Sequence, residues 1–168
     1  MKSKAGKLAV AAGLAALVIL ALLCPRLLRA QGPWGFAPPT TPMAQRNALN
    51  VVQSQVNWLQ NSARTASGYD TGAYGMVWQQ FSMLCTAYNS FKATLTQQQL
   101  AAGANEWAEL DAGLGILQEG FTDYQQEVAA GQSSASALRR MCQDLDEAAG
   151  VWWQELSNDS VQLSVGWQ

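Results

Sequence analysis

Beyond Pro42 the apolar positions recur at alternating spacings of three and four. The first run is Leu49, Val52, Val56, Leu59, Ala63 and Ala66. The second is Tyr74, Val77, Phe81, Leu84, Tyr88, Phe91 and Leu95. The third is Leu100, Gly103, Trp107, Leu110, Leu114, Leu117, Phe121, Tyr124 and Val128. The fourth is Leu138, Cys142, Leu145, Ala149, Trp152 and Leu156. Such spacing marks one buried stripe on each of four helices. Gly68, Asp70 and Gly72 punctuate the first gap. Thr96 is an N-cap candidate for the third run, and Gly131 with Ser133 pairs a helix stop with a helix start. Short gaps make neighbouring helices antiparallel. The expected fold is therefore all-α, an elongated antiparallel bundle of about four helices over residues 43–157. The third helix spans about 30 residues, or ~45 Å, in this reading. Gly103 and Gly113 within it signal either a close helix approach or a kink.

The ends of the chain break the pattern. Residues 1–30 carry Lys2, Lys4 and Lys7 ahead of an uncharged run over residues 8–24, followed by Pro25. This is the order of a signal peptide, with cleavage between Ala30 and Gln31, although Leu28 is larger than the residue usual at that place. The alternative is an uncleaved inner-membrane anchor, since 17 residues is near the lower limit for a spanning helix. A third reading lipidates Cys24. The first two place the body across the membrane, periplasmic or extracellular. Residues 31–42 hold four of the five prolines and form an extended linker carrying Trp34 and Phe36. In the tail, residues 158–168, Val161, Leu163, Val165 and Trp167 alternate as in a strand. That tail either frays or adds to a partner's sheet edge.

Charge divides along the same line. The first thirty residues hold five basic groups and no acid, and the remaining five basic and twelve acidic residues leave the body at −7. Such a body is not built for a nucleic-acid backbone. The chain has no histidine. That excludes His-ligated metals and the Ser-His and Cys-His nucleophile pairs. Carboxylates cluster at Glu106, Glu109 and Asp111 and at Asp144, Asp146 and Glu147, but they fall between the apolar stripes and so face water. Glu106 or Asp111 would have to meet a second buried carboxylate to support hydrolysis. No phosphate loop, zinc spacing or nucleophile motif is present, and no cofactor is implied.

Cys85 and Cys142 remain after signal removal, an even number in an oxidising compartment. A bridge would close a loop of 57 residues and add about 4 kcal/mol. Straight helices set the two cysteines too far apart along the bundle, and a break at Gly103 would relax that limit. Of the seven tryptophans, Trp107 and Trp152 lie on stripes, and Trp78 and Trp153 widen them. Trp58 lies off its stripe and is the candidate contact aromatic. Gln53, Gln55, Gln60, Gln79, Gln80, Gln97, Gln98, Gln99, Gln125 and Gln126 are expected to hydrate the polar faces without charge.

The segments NALNVVQSQVNWLQNSA and QQQLAAGANEWAELDAGLGILQEGF resemble helices of TrbJ-type periplasmic proteins of conjugal transfer and type IV secretion. The resemblance covers residues 47–128 and is one of style, without a diagnostic motif. It implies a helical bundle that assembles with other envelope proteins. The leading expectation is thus a non-enzymatic exported protein that works by protein–protein contact or self-association. Trp34, Phe36, Trp58 and the tail from Val161 to Trp167 are its contact candidates. The alternative is a bundle that binds an apolar small ligand among Trp78, Phe81, Tyr88, Trp107, Phe121 and Trp152.

Overall fold

A computed structural model describes residues 41–66 and 72–158. Five helices account for nearly all of them: α1 Pro42–Ala66, α2 Gly72–Ala93, α3 Gln97–Ala102, α4 Ala104–Ala129 and α5 Ser134–Leu156. There is no strand among the described residues. The four long helices match the four stripes. The third run, however, is not one helix of about 30 residues. It breaks at Gly103 (φ −104°, ψ 31°) into the short α3 and the long α4.

Local hydrogen bonds mark where α3 starts and α4 stops. Thr96 opens α3 with a reciprocal capping box. Its hydroxyl accepts from the Gln99 amide N–H (3.2 Å), and the Gln99 side chain accepts from the Thr96 N–H (2.9 Å). At the end of α4, Gly131 takes a positive φ of 89°. Its N–H donates to Val128 O and that of Gln132 donates to Glu127 O, both at 3.0 Å, closing a Schellman turn. Ser133 occupies the N-cap of α5 but makes no side-chain capping bond.

Cross-helix contacts fix the topology. The start of α1 meets the end of α2 where the Gln45 amide donates to Thr94 O (2.9 Å). The start of α2 meets the end of α4 where Tyr74 stacks on Tyr124. The start of α4 meets the end of α5 where the Trp152 indole donates to Leu110 O (2.8 Å). The end of α1 meets the middle of α5 through Arg64 and Asp146. The long helices therefore run up, down, up and down around one core, each antiparallel to its neighbours.

The stripe residues of α1 and α5 are all buried. Those of the second and third runs are buried too, except that Tyr74, Leu100, Leu114 and Tyr124 are half-buried and Val128 is exposed. The backbones of α2 and α4 approach each other little, and rings fill the space between them. Phe121 lies 4.9 Å from Trp78, 5.2 Å from Phe81 and 5.9 Å from Tyr74, centroid to centroid.

Some glutamines do more than hydrate a face. Gln45 is buried, and it exchanges two hydrogen bonds with Gln99 (3.0 and 3.2 Å). It thereby ties α1 to the α2–α3 corner. Gln60 reaches Asp146 across the α1–α5 seam. Gln45→Leu should lower stability by about 1–3 kcal/mol, because it strands the partners of a buried amide. A urea midpoint that falls at constant slope checks this.

Candidate functional site

The surface is divided by charge in a way that the helix order creates. α1 and α2 carry Arg46, Arg64 and Lys92 and no acid. α4 and α5 carry ten carboxylates and two arginines, a net of −8. The three cations do not face outward from the α1–α2 pair. Arg64 turns to α5 and pairs with Asp146 at 2.9 Å. Lys92 turns to α4 and pairs with Asp111 at 2.8 Å. Arg46 lies 18 residues before Arg64, five helical turns, and so shares its side of α1.

What remains outward on α1 and α2 is uncharged and partly apolar. Trp58 is 52% exposed, Val51 51% and Met76 46%. Val51 and Trp58 are seven residues apart on α1, and Met76 and Met83 are seven apart on α2, so each pair lies along one edge of its helix. Val51 and Met83 line one open groove of about 410 Å³ with Ala48, Gln55, Thr86 and Ala87. The side-chain oxygens of Gln55 and Gln80 are buried without a hydrogen-bond partner. A second apolar groove, about 360 Å³, runs between α4 and α5 past Ile116, Val151 and Trp152, but Glu109 and Glu155 border it.

Trp58 is thus an exposed aromatic in an uncharged surround. Trp34, Phe36, Val161, Leu163, Val165 and Trp167, and the junction at Ala30 and Gln31, lie outside the described residues. So does the gap over residues 67–71. Val51, Met76 and Met83 were not singled out by sequence reasoning, although their seven-residue spacings to Trp58 and to each other were there to be read.

The carboxylates do not converge. Glu106 and Asp111 meet no second buried acid, and Asp111 is taken up by Lys92. Among the described residues no group of His, Cys, Asp and Glu is placed to hold a metal ion. Burial pushes the Asp144 carboxyl above its ordinary value, helped by Glu147, Asp123 and Glu127, while Arg140 opposes the shift. Arg140 itself pairs with Glu127 at 2.7 Å. The carboxylates of the acidic half are therefore a surface, partly offset by this pairing, and not a converging site.

Cys85 and Cys142 are free thiols, so the candidate bridge is not formed. Tyr88 lies edge-on to Trp152, which sets α2 and α5 in register. Cys85 then lies level with about residue 149, roughly 10 Å along the bundle from Cys142, beyond disulfide reach. The break at Gly103 does not shorten that distance, because it lies beyond the α2–α5 contact. Burial pushes the Cys142 thiol up to about 11. Burial also raises the Tyr88 phenol, with the Asp111 charge adding to it. Both groups stay neutral in the fold while the unfolded chain ionises first. The Cys142 contribution to stability is therefore intact below about pH 9 and is lost as pH rises toward 11, and the Tyr88 contribution begins to fall only above about pH 10. Chemical denaturation at pH 8 and pH 10.5 should show the fall. At pH 8 a thiol reagent should modify Cys85 well before Cys142.

No family model matches the chain, and no curated protein or solved structure is significantly similar to it. No helix among the described residues is long and apolar enough to cross a membrane.

Proposed function

We propose that this chain is a non-enzymatic exported envelope protein that works by protein–protein contact. In this reading it is a structural or assembly component of an apparatus like the conjugation and type IV secretion systems that its helices resemble. The observation that carries the reading is the outer α1–α2 face. It is uncharged, centred on Val51, Trp58, Met76 and Met83, and set on a bundle whose other half carries −8. Depletion of charge and enrichment of Trp and Met are what distinguish contact surfaces from ordinary surface. The basic and apolar order of residues 1–30 supports export. The rings that an apolar ligand would need as a lining already pack on one another, which favours contact over ligand binding.

A photo-crosslinking amino acid at position 58, in the native host, tests the reading. An adduct in the envelope fraction is expected. Absence of any adduct from positions 58 and 83, with the chain present in that fraction, would overturn it.

A further inference from the structure

We infer that the outer α1–α2 face is a self-association surface and that its occupant is a second copy of this chain. The inference rests on the contact reading above and gives it a partner. Electrostatics selects the arrangement. Joining two α1–α2 faces brings uncharged surfaces together and leaves the two −8 halves outermost, about 30 Å apart. That is several Debye lengths at physiological salt. Joining two α4–α5 faces would press those halves against each other. A head-to-tail contact gains nothing, because Arg64 and Lys92 are already paired within the bundle.

Size agrees. α1 has 25 residues, so it is about 38 Å long, and two packed helices are about 20 Å wide. The face measures roughly 750 Å², close to the ~800 Å² per partner of a stable interface. Shape allows closure. A two-fold axis crossing α1 between Ser54 and Gln55 sets Trp58 of each copy against Val51 of the other. The contact is then isologous and ends at a dimer.

Sedimentation of the chain purified from the host envelope tests this. The expected mass is twice that of one chain. Trp58→Glu and Met83→Glu should each weaken the dimer about a hundredfold or more with an unchanged helical spectrum. Val151→Glu, in the α4–α5 groove, should leave it intact. Salt should tighten the dimer, since it screens only repulsion. A chain that stays monomeric at every concentration overturns the inference, and so does a dimer lost by Val151→Glu but kept by both α1–α2 variants. If the purified chain is monomeric and the position-58 crosslinker traps a different envelope protein, self-association fails while the contact reading survives. If it traps nothing, both fail.

Discussion

Phe121→Ala should remove about 3–5 kcal/mol of stability, among the largest losses expected from a single truncation in the bundle. Phe121 is almost wholly buried and is the ring on which Tyr74, Trp78 and Phe81 converge. Two of these contacts are edge-on, the geometry that ring quadrupoles favour, and such pairs add to simple burial. Relief by collapse is limited. The α2 and α4 backbones are held apart by these rings, so deleting one opens a hole that the other three, each fixed to α2, cannot all close. The loss is a large part of the 5–15 kcal/mol that a domain of this size holds in total. It should lower the urea midpoint by about 2 M. Phe121→Leu, which restores most of the volume, should cost less than half as much. A cost below about 1 kcal/mol for Phe121→Ala would mean that the α2–α4 seam is not packed by its rings.

The four helices were legible because core burial leaves a period in the sequence. Leu49 to Ala66 and Leu138 to Leu156 were read position by position, and each is buried. The break at Gly103 was open in the sequence only as one of two meanings, close approach or kink, for a specific reason. The stripe Leu100, Gly103, Trp107 keeps its three-four spacing straight across the break, so periodicity is blind to it. At the break the Gly103 N–H donates to Gln99 O (3.1 Å), and the Trp107 indole N–H reaches the same carbonyl (3.4 Å) from the other side. The α1–α2 face was hidden differently. Trp58 stood out as an aromatic off its stripe. Val51, Met76 and Met83 are ordinary exposed apolar residues taken singly. They become a face only when α1 and α2 are set side by side in antiparallel register. The turning of Arg64 toward α5 and Lys92 toward α4 removes charge from that face, and no one-helix pattern records it. The glutamines mislead for the same reason. Gln45 and Gln53 look alike in sequence, yet Gln45 is a buried tie to Gln99 and Thr94.

Two glycines of α4 should respond to alanine with opposite signs. A Cβ on Gly115 meets nothing within 4 Å, so Gly115→Ala should stabilise by up to about 1 kcal/mol through helix propensity alone. A Cβ on Gly113 would lie 2.4 Å from Cδ1 and 3.2 Å from Nε1 of Trp152. The indole is held where it is. It is buried, its N–H donates to Leu110 O at 2.8 Å, and Tyr88 lies edge-on at 5.5 Å. Moving it breaks a buried hydrogen bond, at about 1–3 kcal/mol, and strains the packing by a similar amount. These costs exceed the propensity gain, so Gly113→Ala should destabilise by about 2–3 kcal/mol. Of the two meanings that Gly113 carries in the sequence, close approach and kink, the first is the one at work, and the kink belongs to Gly103. The pairing can be isolated. Trp152→Phe alone should cost stability, but combined with Gly113→Ala it should cost less than the sum of the two, because the smaller ring leaves room for the methyl group. Additive losses in that double variant, or a Gly113→Ala protein as stable as Gly115→Ala, would mean that the indole does not rest on Gly113.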